Sequence, residues 1–197
     1  IKFVQADILN LDEIESYIKE AEVVHHLAGI TNVAYVKKES NPEQDENIKK
    51  VAIEGTENVL KSMNDRATIV FASTHVVFEG LKKPKTNVDE NEETSTFLAY
   101  SSSKVVNENQ IINSGKKYAI FRLGSVYGFS TDTMRINIMP NLFSKIASQN
   151  GTIKLFGGGV QFKSLVPLID VARCFKFVEE NKKFNNGIYN LTKENTT

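Results

Sequence analysis

Apolar positions along the chain switch repeatedly between strand-like and helix-like spacing. Residues 1–5 form a short apolar run that reads as a strand. Leu11, Ile14, Tyr17 and Ile18 then recur at helical intervals, predicting an amphipathic helix over 11–21. Residues 22–28 read as a buried strand, and Asn41-Pro42 opens a second helix that runs to about Met63. Strands follow over 67–72 and 117–123, with a polar loop over 79–96 and a helix around Tyr100 between them. Beyond these the pattern gives a helix over 140–149, a short strand over 152–156, a turn at Gly157-Gly158-Gly159, a helix over 169–180 and a strand over 187–191.

Strands separated by helices imply a parallel sheet covered on both faces, with ligands bound beyond the carboxyl ends of the strands. Asp7, residues 26–29, Ser73-Thr74 and residues 124–128 all fall at such ends, which argues for one shared site.

The bulk properties narrow the function. The 197 residues are 41% hydrophobic and 24% charged with zero net charge, so neither nucleic acid nor an anionic membrane is favoured as a partner. The sequence shows no membrane-span run and no signal peptide. The single cysteine, Cys174, has no disulfide partner within the chain and falls in a core-type helical pattern, which fits a reducing cytoplasmic setting. His25, His26 and His75 lack metal-ligand spacing, so no metal site is expected, and His26 reads as a satisfied core or ribose-side residue.

Tyr100-Ser101-Ser102-Ser103-Lys104 carries the strongest chemical signal. On a helix, positions i and i+4 share a face, so Lys104 can stand beside the Tyr100 phenol. A free phenol titrates at about 10, and a nearby ammonium favours phenolate, making Tyr100 a usable base or acid. Thr74, just past an apolar strand, offers a hydroxyl to the same site. A second Tyr-x-x-x-Lys pair, Tyr189 and Lys193, begins in a strand, where four residues span about 13 Å and the groups cannot meet.

With these residues in hand, the chain resembles the extended short-chain dehydrogenase/reductases of the nucleotide-sugar epimerase/dehydratase family. Six segments carry the resemblance in order: Ala6-Asp7-Ile8, the strand end at 24–29, Gly55-Thr56-Glu57-Asn58-Val59-Leu60, residues 71–78, residues 121–128, and residues 156–166 followed by Asp170-Val171-Ala172. The resemblance implies a Rossmann-like doubly wound parallel α/β sheet. It places a partial dinucleotide-binding domain at 1–135 and part of a small C-terminal substrate lobe at 136–197, interleaved with the last sheet elements. It implies Thr74, Tyr100 and Lys104 as catalytic. It implies NAD, with NADP as the alternative, held by Asp7, Ile8, Leu27, Ala28, Gly29, Ser73, Tyr100, Lys104, Gly124 and Val126. It implies a nucleotide sugar contacted by Thr31, His75, Ser125 and Lys163, and a homodimer built on helices over 42–63 and 99–113.

Departures from the pattern matter as well. None of the 11 glycines forms Gly-x-Gly-x-x-Gly, so the N-terminal strand–helix–strand unit that carries this fingerprint is read as missing and the chain as a fragment. The sheet edge this leaves is expected to be repaired by closer pairing or by a second subunit. Ala52 and Ser125 replace customary asparagines, and Lys163 replaces a phosphate-binding arginine. His75 and Val76 stand where similar dehydratases carry acidic residues, which favours epimerisation through a 4-keto sugar over dehydration. A keto-sugar or other carbonyl reductase, and an inactive fragment with a structural or binding role, are the alternatives.

Overall fold

The computed structural model describes residues 2–31, 37–83, 85–131, 134–181 and 186–196. The main sheet is parallel throughout. Its order is β1 (Val23–His26), β2 (Thr68–Thr74), β3 (Lys117–Leu123) and β6 (Gly187–Leu191). Helices cover both faces, as strands buried on two sides require. On one face α1 (Leu11–Ile18), α2 (Pro42–Ser62) and α3 (Ala99–Ile112) bury Ile14, Val59 and Ile111 against Ile69, Phe71 and Ile120. On the other, α5 (Leu168–Glu180) sets Val171, Phe175 and Val178 against Val70, Ala119 and Phe121.

Local chemistry accounts for the helix starts. Asn41 caps α2, its side-chain oxygen accepting from the backbone N–H of Glu43 and Gln44, and Pro42 occupies the first turn. Leu98 gives α3 no side-chain cap. Glu79 serves instead, its carboxylate accepting from the backbone N–H of Phe97 and Leu98 and from the Ser101 hydroxyl. A negative group there satisfies orphan donors and complements the positive helix end.

A smaller sheet joins β4 (Ser125–Tyr127), β5 (Lys163–Pro167) and β7 (Glu194–Thr196), with β4–β5 parallel and β5–β7 antiparallel. Gly124 lies at the junction of the two sheets. A Cβ there would come within 2.9 Å of the Ser164 carbonyl oxygen, so the approach of β5 requires glycine. The remaining helix, α4, spans Met139–Ser148.

Two expected strands are absent. Residues 2–5 pair with nothing in the sheet, and Phe3 is 89% exposed; Ile1 lies outside the described residues. Closer pairing therefore does not repair the edge, and β1 is bonded on one side only among the described residues. Residues 152–155 are likewise unpaired and exposed, followed by a short 3-10 turn at Phe156–Gly159. An apolar run without a neighbouring strand leaves its backbone groups to water, and propensity alone does not hold it extended. The small sheet itself escaped the sequence reading because β4 and β7 are three residues each, too short to show a period.

Candidate active site

The Gly55-Thr56-Glu57-Asn58 stretch of α2 organises the first half of the site. Asn58 donates to the carbonyls of Ile8 and Leu9, at 3.0 and 3.2 Å. Gly55 leaves room for Ile8, which a Cβ would meet at 2.4 Å. Thr56 shares a 2.9 Å hydrogen bond with His26 at the end of β1. The turn before α1 is closed by Glu13, which accepts from the Asp7 backbone N–H and the Asn10 amide, while one Asp7 oxygen accepts from Leu9 N–H. Asp7 is thereby held at the rim of a groove of about 680 Å³, together with Ile8, Ala28 and Gly29. Four predicted cofactor residues thus line one groove.

His26 is buried and neutral. Burial, with the Lys104 charge assisting, lowers its pKa from 6.5 to about 4. Its part is structural, tying β1 to α2. Above pH 6.5 the ring is neutral whether the chain is folded or not. As pH falls through 6.5, the unfolded chain takes up a proton that the folded chain refuses until about pH 4. Stability is therefore lost across that window, by about 2 kcal/mol at pH about 5. Urea unfolding should show this loss in the wild type and a shallower pH dependence in His26→Gln; identical slopes would contradict the assignment.

The second half of the site is the meeting of β2 with α3. Thr74 ends β2, buried, its hydroxyl accepting from the Val76 N–H at 3.3 Å. Tyr100 occupies the first turn of α3 and Lys104 the next. The Lys104 ammonium donates to the Ala72 carbonyl at 2.8 Å, lies 4.5 Å from the Phe71 ring centre and 5.8 Å from that of Tyr100. Burial pulls its pKa down to about 8, against the Glu108 carboxylate, which holds it up. The Tyr100 phenol is pushed above its ordinary value by burial, with the Arg135 charge acting in the other direction. The expected lowering of the phenol by Lys104 is thus not the net effect here, because desolvation outweighs the charges around it.

A third group of predicted residues gathers past the ends of β2 and β3. His75, Gly124 and Lys163 line a cavity of about 630 Å³ together with Arg122 and Asn190. The His75 ring nitrogen Nδ1 pairs with the Leu123 carbonyl at 2.9 Å, and burial lowers its pKa.

Other predicted residues are placed differently. Ser73 turns away from Thr74's neighbourhood, its hydroxyl donating to the buried Glu108 carboxylate. Val126 packs on the core under α5, and Ser125 is half-buried in β4. Leu27 is exposed just past β1. The Thr31 carbonyl accepts from Arg135 at 3.0 Å, which joins the loop after β1 to the segment before α4. Arg135, Glu79 and Glu108 were not singled out by the sequence reading. Arg122, a charge in the buried stretch of strand β3, was the available signal for Glu108, since a buried guanidinium demands a carboxylate. Among the described residues no cluster of three His, Cys, Asp or Glu side chains is arranged to hold a metal.

Comparison with known proteins gives the family and the fold. The profile of the NAD dependent epimerase/dehydratase family matches residues 1–192. A Methanocaldococcus jannaschii protein named "Putative UDP-glucose 4-epimerase" is 34% identical over 180 residues, covering 88% of this chain and 57% of the relative. The fold is similar to that of UDP-glucose 4-epimerase from Thermotoga maritima, solved with UDP-glucose, at a TM-score of 0.82 and 22% identity over 98% of this chain and 63% of that one. It is also similar to UDP-glucuronic acid 4-epimerase from Bacillus cereus, solved with UDP-glucuronic acid and NAD, at a TM-score of 0.80 and 22% identity over 99% and 61%. The chain thus spans about three-fifths of the length of these proteins.

Proposed function

The chain belongs to the NAD dependent epimerase/dehydratase family, and from that premise we propose that its site carries out oxidoreduction at a sugar carbon of a nucleotide sugar, leading to epimerisation through a 4-keto intermediate. One observation carries the reading. Lys104 and Tyr100, on adjacent turns of α3, are held against the end of β2 by the bond from Lys104 to Ala72, two residues before Thr74.

NAD fits the residues present at its two ends: the groove at Asp7, Ile8, Ala28 and Gly29, and the Tyr100–Lys104 face. When bound it supplies a hydride-accepting carbon and a positive charge. Tyr100 takes the proton from the sugar hydroxyl and returns it after the keto sugar has turned. Thr74 holds the same oxygen through its hydroxyl. Burial disfavours the phenolate and the Arg135 charge favours it, and the Lys104 ammonium, 5.8 Å from the ring centre, is placed to act in the same direction as Arg135. Val76 moves no proton, so the acid–base pair needed for water elimination is incomplete, which supports epimerisation over dehydration. His75, Lys163 and the surrounding cavity are suited to the sugar nucleotide, Lys163 acting as a point charge. Among the described residues no helix is long and apolar enough to cross a membrane; a reducing cytoplasmic setting, read from the single Cys174, belongs to the same proposal.

The test is incubation of the full-length encoded protein with NAD and UDP-hexoses, followed by NMR of the sugar. Appearance of the C4 epimer supports the reading. Consumption of NADPH in proportion to a keto sugar, without epimer, would replace it with a reductase.

Homodimerisation through α2 and α3 belongs to the same proposal. The two helices lie side by side, locked by bonds from Asn107 and Gln110 to the Ala52 and Ile53 carbonyls, and Val106 and Ile112 stay exposed on α3. Sedimentation should show a dimer that Val106→Glu dissociates; a monomer at high concentration would contradict it.

A further inference from the structure

A buried polar network lies beside the trio rather than within it. Glu108 is one helical turn beyond Lys104 on α3, and only 3% exposed. Arg122 grips both its oxygens, Nε to Oε1 at 3.1 Å and Nη2 to Oε2 at 2.8 Å. The Ser73 hydroxyl donates to Oε1 as well. Ser73 is the residue before Thr74, and it lies directly opposite Arg122 in the β2–β3 pairing. The third arm of Arg122 reaches the Glu90 carbonyl at 3.2 Å, and the Glu90 carboxylate accepts from the Asn190 N–H. One carboxylate therefore ties α3 to the ends of β2 and β3, and through Arg122 to the polar loop and β6.

We propose that Glu108 is a positioning residue for Thr74, Tyr100 and Lys104, fixing α3 against the β2 end and supplying the negative charge that keeps Lys104 an ammonium. The inference rests on the catalytic reading of that trio. A buried ion pair is a poor source of stability but a good fixer of geometry, because only one arrangement satisfies both partners. The charged and titratable groups around Lys104 are few. His26 faces it from β1, the Tyr100 phenol and Glu108 share its helix, and Arg122 on β3 stands behind the carboxylate. His26 is neutral and the phenol is pushed up, so Glu108 is the anion at hand. Its influence runs as that placement requires, raising the Lys104 pKa against burial.

The experiment is the titration of Lys104 in the full-length protein without substrate. Trace acetylation across a pH series, with the Lys104 peptide read by mass spectrometry, gives its apparent pKa. Glu108→Gln should lower that value by about one unit, leaving about fivefold more neutral amine at pH about 7. The double variant Glu108→Gln/Arg122→Met, which leaves no buried guanidinium unpaired, should shift Lys104 the same way by less, since both charges of the pair go, and decides the matter if the single variant does not fold. Ser73→Ala should leave the Lys104 titration in place and lower kcat about tenfold with KM held. An unchanged Lys104 pKa in the folded carboxylate variants would overturn the electrostatic role. Wild-type turnover in Ser73→Ala would overturn the positional one. Absence of epimerisation by the wild type would sink the functional reading while leaving the titration as it stands.

Discussion

Tyr100→Phe in the full-length encoded protein should lower nucleotide-sugar turnover by about a thousandfold and leave the fold unchanged. The substitution removes one oxygen and keeps the ring near the Lys104 ammonium, 5.8 Å from its centre. What is lost is proton transfer to and from the reacting oxygen, which contributes about two to four orders of magnitude in such sites. A thousandfold corresponds to about 4 kcal/mol of barrier. Lys104→Met should approach the same loss, and the double variant should be little worse than either single one, since the residues act as a unit. Turnover within tenfold of wild type in Tyr100→Phe would remove the phenol from the mechanism.

The 197-residue chain by itself should bind NAD about a thousandfold more weakly than the micromolar affinity of an intact dinucleotide site. Pyrophosphate is gripped by backbone N–H groups and the helix end of a Gly-rich turn, and no Gly-x-Gly-x-x-Gly occurs among the 11 glycines. Asp7 and the strand-end residues near Ala28 and Gly29 can hold only the ends of the cofactor. A thousandfold is about 4 kcal/mol, a reasonable share for the phosphates. Calorimetric titration gives the answer directly. Micromolar binding by this chain would show that the Gly-rich unit is dispensable.

The centre of the main sheet was legible because β2 and β3 are seven-residue, largely apolar runs bounded by polar segments. β3 fell where the pattern put it, over Lys117–Leu123. Residues 2–5 failed for the opposite reason: their pattern is apolar, but a strand exists only with a partner, and pairing is not encoded locally. The trio could be read from Tyr100 and Lys104 at helical spacing and Thr74 at a strand end. What surrounds it could not. Glu79 caps α3 from about 20 residues upstream, Glu108 on α3 meets Arg122 on β3, and Arg135 reaches Thr31 over about half of the chain. Each is an ordinary charged residue in sequence, made specific only by burial or by a partner brought in by the fold. The direction of the Tyr100 shift belongs with these, since a charge beside it was visible in the spacing but the desolvation was not.

Following the hydrogen at C4 puts the oxidoreduction reading to its sharpest trial. The full-length protein, supplied with NAD and UDP-glucose deuterated at C4, should yield the C4 epimer with deuterium retained at C4, because the hydride that leaves the sugar returns to it. Tyr100→Phe should yield none above background. Epimer that has lost its deuterium to solvent, or equal epimer formation by wild type and Tyr100→Phe, would contradict the assignment of Thr74, Tyr100 and Lys104 as an oxidoreduction site.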